Sequence, residues 1–163
     1  MRILGIDPGL RLTGFGVVEV RPGAIEPTLI EAGVIKLKDK TPVADRLQQL
    51  ADDLEGVIET SGARRLAVEK IYAHYAHPRT AIVMAHARGV ILLCARQRGL
   101  AIEELASTEV KKALTGNGHA SKEQMQLAVQ AQFRLPEPPS PPDVADAIAI
   151  AACHARRLAL AAL

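Results

Sequence analysis

The sequence predicts an α/β fold with a mixed five-stranded sheet, its first three strands antiparallel, flanked by helices. Three observations carry this. Three apolar, β-branched segments fill the first forty residues and are joined by short turns. A stretch of helical periodicity then runs into a short apolar segment, which is how a crossover to a parallel strand reads. The second half alternates helical patterns with one further short strand and closes on a long Ala-rich helix. The size fits, since 163 residues make one ordinary domain, taken as 1–163. A chain of that length buries roughly 70% of its unfolded surface, so its core needs no disulfide.

Each element has its own signal. RILGID (2–7) runs into Asp7-Pro8-Gly9, a turn sequence. TGFGVVEV (13–20) is the second strand, RPGAIEP a loop and TLIEAGVIKL (28–37) the third; connections this short favour an antiparallel meander. Thr41-Pro42 opens a helix in which Leu47, Leu50, Leu54, Val57 and Ile58 recur on one face, and Ser61-Gly62 stops it. RLAVEK (65–70) is a short buried strand. Between about Thr80 and Arg98 lies a helix apolar on more than one face, which predicts burial on several sides or against a second subunit. Gly99 caps it, and LAIEELA (100–106) is the fifth strand. TEVKKALTG and ASKEQMQLAVQAQF are helices separated by Gly116-Asn117-Gly118. Five prolines between Pro136 and Pro142 enforce a non-helical connector before the closing helix, DVADAIAIAACHARRLALAAL.

Composition narrows the class. Aromatic residues make up 2% of the chain and there is no Trp, so the core must be aliphatic. Cys94 and Cys153 stand in apolar stretches without CxxC spacing, which predicts buried, reduced thiols. No signal-peptide pattern opens the sequence and no apolar run approaches the ~20 residues of a membrane span, so a cytoplasmic protein is expected. The net charge of +2 is small, but residues 60–98 carry seven Lys/Arg against one acid. A basic middle of that kind can follow a phosphate backbone, and ordinary solvated helix faces explain it equally well.

Four acids draw attention: Asp7, Glu69, Asp143 and Asp146. Each has an ordinary structural role when taken singly. Asp7 before Pro-Gly is a good turn former, Glu69 is a solvated strand end, and Asp143 and Asp146 suit the first turn of a helix. Their conjunction says more. Two strand-end carboxylates and an i,i+3 pair at a helix start can meet at one edge of the sheet. Their mutual repulsion calls for more than one Lys. Two Mg²⁺ ions, hard cations with oxygen ligands, would neutralise it and support hydrolysis, one activating water and the other stabilising a leaving 3′-oxygen.

GIDPG…TGFGVV, the AVEK strand end, HARGV, VKKALTGNGHASKEQ and DVADAIAIA, in this order, resemble the RuvC family of Holliday-junction resolvases, within the RNase H-like nucleases. The resemblance covers nearly the whole chain. It implies an RNase H-like fold and a homodimer that resolves four-way DNA junctions by paired symmetric cuts in recombination and repair. Asp7, Glu69, Asp143 and Asp146 would be the catalytic, metal-holding acids for two Mg²⁺, with Mn²⁺ able to substitute. Lys111 and Lys122 match basic residues beside the junction phosphates, with Lys122 nearest the scissile one. Tyr72 matches an aromatic that stacks on a base; Tyr75 could form a second platform, although surface packing accounts for it better. A branch-migration motor is the implied partner. The YAHYAHPRT segment, with His74 and His77, departs from the family pattern, and its two histidines read best as solvated loop residues. His154 lies more than two helical turns beyond Asp146 and falls outside the acid cluster.

Three rivals remain at this level. GIDPGLRLTG also suits an actin- or sugar-kinase-like nucleotide-binding domain, although this chain has length for one such domain where two close around a nucleotide. A non-catalytic protein on the same fold would not need four acids in register. Another RNase H-like nuclease acting on a structured nucleic acid shares the metal chemistry.

Overall fold

The computed structural model describes residues 1–70 and 78–162, with side chains from 81 onward in the second stretch. Tyr72, His74, Tyr75 and His77 lie outside the described residues. Three strands, β1 (Arg2–Asp7), β2 (Leu12–Glu19) and β3 (Thr28–Lys36), form the expected antiparallel meander. Strand β4 (Arg65–Glu69) pairs in parallel with β1, and β5 (Ala101–Leu105) in parallel with β4. The sheet order is β3-β2-β1-β4-β5. Helices α1 (Val43–Ser61) and α2 (Pro78–Gln97) cover one face, while α3 (Ser107–Thr115), α4 (Lys122–Phe133) and α5 (Pro142–Ala161) cover the other.

Strand alternation divides the core in two. Leu4, Ile6, Phe15, Val17, Leu66 and Val68 pack against α1 and α2 with Leu50, Leu54 and Ile91. Ile3, Val18 and Ala67 point the other way, toward α5 and its Ile148 and Ala151. Apolar residues on both faces explain why β1 reads as an unbroken hydrophobic run. Fully buried aliphatics such as Leu50, Leu54 and Ile148 each contribute about 1.5–3 kcal/mol.

Helix α5 sits unusually close to the sheet because β1 and β2 present glycines to it. A Cβ at Gly5 would fall 2.2 Å from the Ala147 carbonyl oxygen, and one at Gly16 would fall 2.8 Å from Ile148. No side chain larger than hydrogen fits there. The Ala-rich face of α5 and the TGFG segment of β2 are two halves of one contact.

The element boundaries follow the local chemistry. Gly62 ends α1 with φ +63, and Gly99 follows α2 with φ +72, both in the left-handed region that favours glycine. Ser121 caps α4 through a reciprocal capping box with Gln124. Helix α2 starts at Pro78, two residues before the sequence places it. Ala87, Ile91, Cys94 and Ala95 bury its inner side, whereas Ile82 and Leu93 are each 57% exposed on the other.

Among the described residues, part of the basic excess of residues 60–98 is taken up locally. Arg88 is buried, and Arg98 is held by Glu55 and Glu59 of α1. Local ion pairs consume charge that composition alone presents as surplus. Both cysteines are buried and unpaired, and burial pushes the Cys153 thiol up to about 11. Among the described residues no helix is long and apolar enough to cross a membrane.

Candidate active site

Register brings the acids together. In the antiparallel ladder Asp7 is the partner of Gly14, and in the parallel ladder Ile6 is the partner of Val68, so Asp7 and Glu69 end neighbouring strands at the same level. Both follow the alternation of Ile3, Gly5 and Ala67, which places them on the α5 face. Gly14 then locates the third acid. A Cβ added there would lie 3.2 Å from the Asp143 Cβ and 2.1 Å from its carbonyl oxygen. The first turn of α5 therefore rests on the strand position opposite Asp7. Asp146, one turn further on, faces the same space.

The loop after Asp7 and the N-cap position of α5 do not depend on the Asp7 and Asp143 side chains. The loop after Asp7 is closed by Thr13, whose hydroxyl donates to the Gly9 carbonyl at 2.7 Å and accepts from the Gly9 N–H at 3.2 Å. Arg46 reinforces it by donating to the Leu10 carbonyl at 3.2 Å. The N-cap of α5 is Pro141, with no side-chain cap hydrogen bond, so Asp143 does not serve as the cap.

Their electrostatics agree. Burial, then the charges of Asp146, Asp143 and Glu69, push the Asp7 carboxyl up to about 8, with Lys122 opposing. Burial and Asp146 raise Glu69, against the Ser107 hydroxyl, Lys111 and Arg88. Burial also raises Asp146, while Lys122 and Lys111 pull it down. Carboxylates whose pKa values are raised by burial and by neighbouring acids form a site short of positive charge.

Two adjoining hollows share this cluster. One of about 950 Å³ is lined by Asp7, Asp143, Asp146 and Lys122 and extends past Arg11 to Arg46. The other, about 200 Å³, is lined by Glu69, Ser107, Lys111, Lys122 and Asp146. Asp146 and Lys122 belong to both. Lys111 projects from α3 and Lys122 opens α4, so both expected lysines border the acids. Among the described residues, however, no three carboxylate, imidazole or thiol groups converge on one point tightly enough to grip an ion.

The family model for the crossover junction endodeoxyribonuclease RuvC matches residues 3–154. The chain belongs to the RuvC family. RuvC-family proteins of Rhodopirellula baltica and Pelotomaculum thermopropionicum are 47% and 42% identical to it, over 93% and 95% of this chain and 84% and 93% of theirs. The solved structure of T. thermophilus RuvC in complex with a Holliday junction substrate is 33% identical, with a TM-score of 0.89 over 99% of this chain and 96% of that one. The yeast mitochondrial Holliday junction resolvase Ydc2 shares the fold at 13% identity, with a TM-score of 0.64 over 99% of this chain and 86% of that one.

In this RuvC-family chain the four expected acids and both lysines line the two adjoining hollows at one sheet edge, and His154 does not. It is buried near Glu103 of β5, where burial lowers its pKa. Sequence reasoning missed Arg46, Arg88 and Ser107. Arg88 alone left a signal, a single charge inside the apolar run of α2.

Proposed function

We propose that this chain, as a single nuclease domain over residues 1–163, resolves four-way DNA junctions by paired, symmetric phosphodiester hydrolysis in recombination and repair. The observation that carries this reading is the register of Asp7, Gly14 and Glu69, which sets two half-buried strand-end acids beneath Asp143 and Asp146. The activity class is that of the family, and a relative solved with a Holliday junction substrate superposes over nearly the whole chain.

A divalent metal fits the residues present. The donor set is all carboxylate, burial and neighbouring acids raise the pKa of Asp7, Glu69 and Asp146, and hard cations take such ligands. Asp7, Glu69, Asp143 and Asp146 would hold two Mg²⁺, or Mn²⁺ in their place. When bound, these ions supply Lewis-acid polarisation of the phosphate and lower the pKa of water. The protein supplies the rest. Lys111 and Lys122 attract the phosphate, and Lys122 does so at a helix start whose N–H groups favour anions. Tyr72, from its place in the family pattern, would stack on a base near the crossover, worth ~1–3 kcal/mol.

A two-fold dimer suits two symmetric cuts. The outer side of α2, with Ile82 and Leu93 each 57% exposed, is the surface we assign to the partner protomer. A branch-migration motor would deliver the junction in the cytoplasm.

The test is cleavage of a four-way junction, a linear duplex and an RNA–DNA hybrid with Mg²⁺. Only the junction should be cut, and chelation should stop the reaction. Preference for the hybrid would move the chain to another substrate. The acids also predict a proton signature. With its carboxyl pushed up to about 8, Asp7 holds its proton at pH 7 and must release it to ligate a cation. Calorimetry at pH 7 in buffers of different ionisation enthalpy should report a net proton release that fades by about pH 9. Binding without proton release at pH 7 would contradict this assignment of Asp7.

A further inference from the structure

Arg88 is the only Lys or Arg that is buried among the described residues, at 7% exposure. Burying a guanidinium costs several kcal/mol unless its donors are well satisfied. Here they are used at one place. The Nη1–H donates to the Glu69 carbonyl at 2.6 Å, and Nη2 pairs with the Glu104 carboxylate on β5. The Glu69 side chain leaves toward α5, while Arg88 reaches the strand end from α2 on the opposite face. The next residue is fixed as well, because the Lys70 N–H donates to the Leu105 carbonyl at 2.8 Å. Strand β4 is thus clamped where Glu69 departs, although a strand end would otherwise fray.

The geometry points to Arg88 as a positioning residue: anchored by Glu104, it fixes the backbone of Glu69 and so sets where that carboxylate enters the acid cluster. Arg88 need not touch metal or DNA. This rests on the reading of Glu69 as a metal ligand. Outer partners that orient a ligand typically change metal affinity or activity by 10- to 100-fold when removed.

The experiment measures Mn²⁺ binding by calorimetry for wild type, Glu69→Gln, Arg88→Met and Glu104→Gln, with metal-free thermal melts and metal-free junction binding alongside. Arg88→Met should weaken Mn²⁺ binding roughly 10-fold or more and leave junction binding near wild type. Raised Mn²⁺ should restore its cleavage, and should not restore that of Glu69→Gln. Glu104 is about half exposed, so Glu104→Gln tests the clamp without emptying a buried site, and it should weaken binding by about 3-fold. That variant decides the matter if Arg88→Met does not fold. Wild-type affinity in Glu69→Gln would overturn the reading of Glu69 itself. Lost affinity in Glu69→Gln, with wild-type affinity in a folded Arg88→Met or in Glu104→Gln, would overturn the role of Arg88 alone.

Discussion

Replacing Asp7 by Asn is expected to reduce junction cleavage by ~10³-fold or more, equivalent to about 4 kcal/mol of barrier. Junction binding should be kept or strengthened, because a negative charge beside the phosphate is removed. Asn has the shape of the protonated acid but cannot become a carboxylate, so it cannot complete the ligand set. The substitution carries a second, opposite effect. Asp7 has a folded pKa of about 8 against an ordinary 3.8, so the protonated form is favoured by folding. Its contribution to metal-free stability is fully present below pH ~3.8 and is lost as pH rises toward about 8. Asn removes that loss. Metal-free Asp7→Asn should therefore melt higher than wild type at pH 8, and the gap should shrink toward pH 5. Retained cleavage would remove Asp7 from the catalytic set, and a melting difference independent of pH would contradict its electrostatic origin.

Gly14→Ala should be nearly as damaging, although Gly14 carries no chemistry. The new methyl group would meet the Asp143 carbonyl oxygen at 2.1 Å, and this is backbone that no rotamer change can move aside. Overpacking of this kind costs about 3 kcal/mol, so a fall in melting temperature of roughly 6–12 °C is expected. The start of α5 must lift off β2, carrying Asp143 and Asp146 away from Asp7. Misplacement by ~1 Å can cost about 10²-fold in rate. Gly56→Ala is the control. Gly56 lies in α1 with nothing within 4 Å of its added Cβ, and the change should stabilise the helix by about 0.5–1 kcal/mol with cleavage unchanged. Wild-type cleavage by Gly14→Ala would mean that close seating of α5 does not place the acids.

The architecture was largely legible before any coordinates. The meander, the crossover and the closing helix follow from short turns, from periodicity and from Pro and Gly at their boundaries. These are local signals carried by adjacent residues. The electrostatics of the middle segment were not legible in the same way, since Arg88 and Arg98 find their partners on β4 and β5 or on α1. Nor could the sequence say that Thr13 and Arg46 close the loop after Asp7, or that Pro141 and not Asp143 stands at the N-cap position of α5. Asp7 and Asp143 kept the roles of turn former and helix cap open until other residues were found at those places.

The sequence by itself determined which residues are acidic, which elements carry them and which family pattern they complete. Whether those acids share one space was decided only in three dimensions. Strand register set Asp7 beside Glu69, and hydrogen-only positions at Gly5, Gly14 and Gly16 let α5 descend onto the sheet. The reason is physical: backbone preference acts over a few residues, whereas repulsion among carboxylates depends on distance through space. That distance exists only once the chain has folded.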